Sequence, residues 1–191
     1  MKYIKEKLAG VYTMIPDIHE DERGHFFETF NIEEFNDVVA DFNVMQENES
    51  LSKCKVLRGL HYQVPPFNQA KIVRVTKGIA LDVIVDIRRD SPTFGEFMTF
   101  LLTDYDNIQL FVPRGFAHGF AALSKNVRFQ YKVDNVYAPN YDAGIYYNDP
   151  DLKIDWEIQN PIVSNKDKEL PRLQDVHHYD KARWDLNPNI L

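Results

Sequence analysis

Ile79-Ala80-Leu81-Asp82-Val83-Ile84-Val85-Asp86-Ile87-Arg88 alternates with period two and is rich in β-branched residues, the pattern of a strand. Ile79, Leu81, Val83, Val85 and Ile87 fall on one face. Ala80, Asp82, Ile84, Asp86 and Arg88 fall on the other, so one face is apolar and the other carries charge. Lys71-Ile72-Val73-Arg74-Val75-Thr76 precedes it, joined by the turn Lys77-Gly78. The turn Arg89-Asp90-Ser91-Pro92-Thr93-Phe94-Gly95 follows and leads to a third strand over 96–103. Residues 107–112 and 120–133 read the same way, separated by a compact turn at Pro113-Arg114-Gly115-Phe116-Ala117-His118-Gly119. Many short strands divided by turn signals predict a sandwich or barrel.

Helix signals are few. Asn31 is a candidate N-cap for Ile32-Glu33-Glu34-Phe35, with acidic residues in the first turn. Ser164-Asn165-Lys166-Asp167 offers a second, shorter cap. The 191 residues suffice for one good core and are too few for two comfortable domains, so 1–191 reads as a single domain. The stretch 174–191 has aromatics and prolines without a period and reads as a C-terminal tail wrapping the surface.

The net charge of -7 disfavours nucleic acid and anionic membranes as partners, because both need a basic surface. An anionic small substrate stays open, since a few Arg and Lys can gather locally. The one cysteine, Cys54, cannot form an internal disulfide, and no apolar run is long enough to cross a bilayer. The N-terminal stretch lacks the apolar segment of a signal peptide, so the expected location is cytoplasmic.

Two motifs carry chemistry. Arg58-Gly59-Leu60-His61-Tyr62-Gln63 places His61 and Gln63 on one strand face. Pro113-Arg114-Gly115-Phe116-Ala117-His118 has the P-x-G-x-x-H pattern of the second cupin motif, whose turn aims a histidine into a barrel mouth. Metal-binding cupins bring His-x-His and a glutamate to the first motif. Here Gln63 stands where the second histidine would, and two histidines make a poor catalytic metal site, which usually has three protein ligands. No metal is expected. No glycine-rich dinucleotide fingerprint is present either, so no cofactor is expected.

The chain resembles the dTDP-4-dehydrorhamnose 3,5-epimerase family from about Gly10 to Leu173. The resemblance rests on Asp21-Glu22-Arg23-Gly24-His25-Phe26, Gln46-Glu47-Asn48-Glu49-Ser50, Leu57-Arg58-Gly59-Leu60-His61-Tyr62-Gln63 and Lys71. It continues through Asp82-Val83-Ile84-Val85-Asp86-Ile87-Arg88, Ser91-Pro92-Thr93-Phe94-Gly95, Phe116-Ala117-His118-Gly119-Phe120, Gln130-Tyr131-Lys132 and Ser164-Asn165-Lys166-Asp167. It implies a mainly β fold, the cupin-type double-stranded β-helix or jelly-roll barrel, with a few short helices. It also implies a homodimer whose subunits exchange N-terminal strands, here Lys7 to Thr13 and Arg23 to Phe30.

Epimerisation beside a ketone needs a base for the α-proton, a cation for the enolate and an acid on the opposite face. His61 suits the base, since its unperturbed pKa lies near neutrality. By resemblance Asp167 orients His61, Lys71 stabilises the oxyanion and Tyr131 is the acid. Arg23 and Arg58 resemble the family's phosphate contacts, and Tyr137 falls where the family stacks an aromatic on thymine. Gln46, Asn48, Glu28, Phe26, His118, Asp142 and Lys166 resemble its other substrate contacts. The implied substrate is a dTDP-linked 4-keto-6-deoxy sugar. Two departures stand out: Asp142 replaces the usual Glu, and Tyr147 the usual Trp.

Plainer readings remain for several of these. His118 and Tyr131 also suit a packed core, Lys71 a solvated strand, and Arg23 a surface pair with Glu22 or Glu28. His177-His178 reads as an exposed tail, and Asp82 and Asp86 as interior hydrogen-bonding groups. Other functions share the scaffold: single-site epimerases, sugar ketoisomerases, a non-catalytic sugar-nucleotide binder, and a metal-dependent oxygenase that Gln63 disfavours.

Overall fold

The computed structural model describes residues 1–185. Strands are numbered along the chain. The larger sheet has the order β1 (Lys2–Lys5), β2 (Tyr12–Ile15), β10 (Gln109–Val112), β7 (Lys71–Lys77), β12 (Asn126–Val133) and β5 (Gln46–Lys53). The smaller has the order β13 (Asp142–Gly144), β6 (Leu57–Gln63), β11 (Phe116–Ala122), β8 (Ile79–Asp86) and β9 (Phe97–Thr103). Neighbouring strands pair antiparallel throughout. The two sheets face each other as a jelly-roll barrel of the cupin type, one of the two architectures the strand pattern allowed and the one the family resemblance implied.

The alternation in β8 is present, but its polar face does not meet water. Ala80, Asp82, Ile84 and Asp86 are all fully buried. Ala80 and Ile84 join Val73, Val75, Phe116, Phe120 and Phe129 in the cluster between the sheets. The apolar face, with Leu81, Val83, Val85 and Ile87, turns outward from the barrel. There it is covered by Ile145, Leu152, Trp156, Leu173 and Trp184 from the C-terminal third of the chain. A strand flanked on both sides needs every charge on it paired. Asp86 meets this need by accepting from Arg88, Ser91 and Thr93.

The outer face of the larger sheet is covered in turn by α1 (Ile32–Val38) and the chain around it. Asn31 caps this helix, its side chain accepting from the backbone N–H groups of Glu33 and Glu34. Capping fixes the helix start, and Phe35 then drops into a cluster with Met14, Phe42, Ile72 and Phe111. Each buried aromatic or aliphatic side chain of this kind contributes about 1.5–3 kcal/mol.

Two expected boundaries move. The run 120–133 is interrupted at 123–125, and Phe116, Ala117 and His118 already lie in β11, so the turn is confined to 113–115. Gly115 makes that turn at φ +82, where a Cβ would strike the Arg88 side chain and Trp184. The C-terminal stretch is also more than a surface wrap. Past residue 174 the chain lays the backbone carbonyl of Tyr179 on the N–H of Arg89 and starts α3 (Lys181–Trp184). Trp184 is 1 % exposed and meets Tyr62 edge-on with ring centroids 6.0 Å apart. Of the tail, 186–191 lie outside the described residues. His177 is exposed, whereas His178 packs edge-on against Phe94. One hairpin, β3 (His19–Asp21) with β4 (Gly24–Phe26), joins neither sheet, and all six of its strand residues are exposed.

Candidate active site

A cavity of about 630 Å³ opens between the sheets. It gathers His61, Lys71, Tyr131, Asp167, Gln46, Asn48, Arg58, His118, Tyr137, Asp142 and Lys166. Arg23, Phe26 and Glu28 are not brought there by the same chain. Arg23 and Phe26 belong to the exposed hairpin, where Arg23 pairs with Asp21 and not with Glu22 or Glu28. Glu28 accepts a hydrogen bond from Asn31 instead.

The irregularity in β6 sets the first wall. His118 of β11 stands opposite His61, but Phe120 stands opposite Arg58, so β6 holds one residue more than its partner over this interval. Such a bulge re-aims side chains, and Arg58 and His61, three positions apart, both reach the cavity. Gly59 makes the bulge possible: its φ is +134, and a Cβ there would lie 2.6 Å from the Gly119 backbone. The glycine of the Arg58-Gly59-Leu60-His61 motif is therefore a steric requirement.

Asp167 enters from α2 (Asn165–Lys168), whose N-cap Ser164 accepts from the Asp167 N–H. Its carboxylate accepts from the Gly59 N–H at 3.3 Å and lies 2.9 Å from His61 Nε2. Burial pushes this carboxyl up, but the hydrogen bond and charge of His61, with the Gly59 N–H and the Ser164 side chain, outweigh it and hold it below the usual range. An ionised carboxylate can only accept, so His61 Nε2 carries the hydrogen. The other ring nitrogen is then left unprotonated in the neutral imidazole.

Lys71, on β7, is buried, and desolvation pulls its pKa down to about 8 against the opposing charges of Asp142 and Asp82. It is still mostly a cation at neutral pH. Tyr131, on β12, is pushed upward by burial, with Arg58 acting the other way. Its phenol is thus protonated and able to donate. His118 lies 2.8 Å from Asp82, a buried pair inside the barrel. Asp82 therefore has the interior hydrogen-bonding role expected of it, and Lys71 lines a pocket and not a solvated face.

At the mouth, Asp142 accepts from the Tyr137 hydroxyl at 2.8 Å and from the Lys166 ammonium. The hydrogen bond to Asp142 raises the pKa of both partners. The Tyr137 ring is half exposed. Tyr147, the other departure from the family pattern, packs against the outer cluster and is not a cavity residue.

Sequence reasoning missed part of the lining. Phe120 and Phe129, stacked at 4.1 Å and 3°, line it, and so do Ser50 and Gln69. Period two was the available signal for two of them. Phe129 shares a strand face with Tyr131, and Ser50 with Gln46 and Asn48.

The arrangement is a carboxylate-backed imidazole, a buried ammonium and a protonated phenol around one cavity with cations at its rim. It can remove a proton, hold an oxyanion and return a proton. A family model described as dTDP-4-dehydrorhamnose 3,5-epimerase matches residues 5–175. The Shigella flexneri dTDP-4-dehydrorhamnose 3,5-epimerase is 41% identical over 180 residues, 94% of this chain and 99% of that one. A Legionella pneumophila dTDP-6-deoxy-D-glucose-3,5-epimerase, solved with dTDP-4-keto-L-rhamnose, superposes with a TM-score of 0.90 at 36% identity, covering 94% of this chain and 97% of that one. A 3′-monoepimerase from Streptomyces bikiniensis, solved with dTDP, gives a TM-score of 0.90 at 30% identity, covering 97% of this chain and 96% of that one. It was studied as a double mutant, His to Asn and Tyr to Phe, at positions spaced as His61 and Tyr131 are here.

Proposed function

The chain belongs to the dTDP-4-dehydrorhamnose 3,5-epimerase family, and from that membership we infer how its cavity works. The reaction is epimerisation at C3 and C5 of dTDP-4-keto-6-deoxyglucose, an isomerase step of dTDP-L-rhamnose biosynthesis. His61 takes the proton from the carbon beside the ketone, with Asp167 stabilising the imidazolium that forms. The electron pair of the broken C–H bond moves onto the C4 oxygen, and the Lys71 ammonium stabilises that oxyanion. Tyr131 returns a proton from the opposite face, and the inverted carbon results. Both residues then exchange protons with solvent before the second carbon is processed.

The observation that carries this reading is the His61–Asp167 hydrogen bond in the cavity that Lys71 and Tyr131 also line. The paired His and Tyr substitutions in the Streptomyces bikiniensis structure, at the same spacing, support it. Arg58, His118, Lys166, Gln46, Asn48 and Asp142 contact the diphosphate and sugars, and Tyr137 stacks on the base. Arg23, Phe26 and Glu28 serve the site of a second copy in a homodimer. The hairpin that stands clear of both sheets supports this. We read 1–191 as one domain and the protein as cytoplasmic; no helix among the described residues is long and apolar enough to cross a membrane.

The test is incubation with dTDP-4-keto-6-deoxyglucose in heavy water, followed by NMR. Deuterium entering at C3 and C5 with wild-type protein, and at neither with His61→Asn, is the expected result. Exchange at one carbon alone would place the chain with the monoepimerases, and exchange surviving in His61→Asn would remove His61 as the base.

A further inference from the structure

Gln63 occupies the position at which metal-binding cupins carry a histidine, yet its amide is spent elsewhere. The side chain is 4 % exposed. Its Nε2 donates to the carbonyls of Phe67 at 2.6 Å and Val136 at 3.1 Å. Its Oε1 accepts from the N–H of Ala138 at 2.7 Å. Val136 and Ala138 are the two chain neighbours of Tyr137. One buried amide therefore grips the backbone immediately before and immediately after the tyrosine, while the ring itself stands half exposed at the cavity mouth. The Tyr137 N–H is taken by Gln46 Oε1 at 3.0 Å, and its hydroxyl by Asp142 at 2.8 Å. Gln69 donates to the Asn135 carbonyl at 2.8 Å, two positions before Tyr137.

Only an amide meets the demands at Gln63. Two carbonyls need a donor group with two hydrogens, and one N–H needs an acceptor, all from one side chain. A carboxylate would set negative charge against two carbonyl oxygens, and a histidine cannot supply two donors and an acceptor together. The grip also explains why this end of the cavity has a defined shape although the segment after β12 forms only a short 3₁₀ turn at Pro139–Tyr141.

We propose that Gln63 is a positioning residue that sets base recognition: it holds the Tyr137 backbone so that the ring is presented, already ordered, to the nucleobase of the substrate. The proposal rests on the assignment of Tyr137 as the stacking residue. Without the grip, the ring keeps its chemistry but must be ordered by the ligand. The cost falls on binding of the nucleotide part and not on the diphosphate or on proton transfer.

The experiment compares wild type, Gln63→Leu, Gln63→Glu, Tyr137→Ala and the Gln63→Leu/Tyr137→Ala double variant, titrated with dTDP and separately with inorganic pyrophosphate. Stacking on an aromatic is worth enough that dTDP affinity should fall about tenfold in Tyr137→Ala and by a similar factor in Gln63→Leu. Pyrophosphate affinity should change less than about twofold in both. In the double variant the losses should not multiply, because Gln63 acts through the ring that has been removed. With substrate, KM should rise more than kcat falls. Gln63→Glu, closest in shape, reports the same split if the leucine variant fails to fold. Loss of pyrophosphate binding in parallel, or multiplying losses in the double variant, would reduce Gln63 to a general structural residue and overturn the proposal. An unchanged dTDP affinity in Tyr137→Ala would remove the stacking assignment itself. An unchanged affinity in Gln63→Leu or Gln63→Glu alone would remove only the role of Gln63.

Discussion

His61 and His118 stand directly opposite each other on neighbouring strands, yet each is tied to a different carboxylate, His61 to Asp167 and His118 to Asp82. The Asp167 pair reaches solvent through a partly exposed His61, whereas both members of the Asp82 pair are buried. On the proposed mechanism this asymmetry fits His61 for trading protons with water and His118 for holding its place. Replacing His61 by Asn should lower turnover by about 10²–10⁴-fold and stop solvent exchange at both carbons. His118→Asn should retain exchange and raise KM. Exchange lost in His118→Asn and kept in His61→Asn would reverse the two roles.

Tyr131→Phe should split the reaction. The ring and its packing survive, and so does the His61–Asp167 pair, so proton abstraction continues. Inverted product should fall by about 10²–10⁴-fold while deuterium still enters the substrate. Near-normal turnover would make Tyr131 a packing residue.

Lys71 sets an alkaline limit. Its pKa is pulled down to about 8 by burial, and the useful form is the protonated one. On the alkaline side the value of kcat/KM should fall about tenfold per unit above that pH. Lys71→Arg keeps its charge throughout, so the break should vanish from its profile even if its rate is lower. A break at the same pH in the Arg variant would assign it to another group.

Dialysis against a chelator should leave activity intact. Gln63 has committed its oxygen to Ala138 and its nitrogen to Phe67 and Val136, and among the described residues no three His, Cys, Asp or Glu side chains are grouped to hold a metal ion. Loss of turnover on dialysis, restored by a divalent ion, would overturn this.

Trp184→Ala should destabilise the fold by about 3–5 kcal/mol, the usual cost of removing a fully buried large aromatic. The expectation follows from its 1 % exposure and its place among Tyr62, Tyr179 and the outer face of the smaller sheet. Denaturant unfolding measures it. A loss under about 1 kcal/mol would show that the site collapses or that the tail contributes little.

What the sequence revealed and what it hid divide along a physical line. Period two located β7, β8 and β9, because alternation is a property of the strand itself. It could not say which face of β8 looks inward, since both faces are covered and the covering residues come from Leu152, Trp156 and Trp184, far along the chain. Trp184 lay in a stretch without any period, so its burial had no local signature. Gln63 read as a missing ligand because its real partners, Val136 and Ala138, are set by tertiary contact. His61, Lys71, Tyr131 and Asp167, picked out with the help of the family resemblance, do line one cavity although they are spread over more than a hundred positions.

The four-residue helix α2 has a consequence for synthesis of the protein. Asp167 lies 106 positions after its partner His61. A chain leaving the ribosome has thus laid down the imidazole, the ammonium and the phenol long before the carboxylate that completes them. Products cut short between β13 and α2, within 145–164, carry every strand of both sheets and still lack the carboxylate beside His61. For this enzyme, turnover in a cell extract reports synthesis at least as far as α2, whereas antibody binding to the barrel does not.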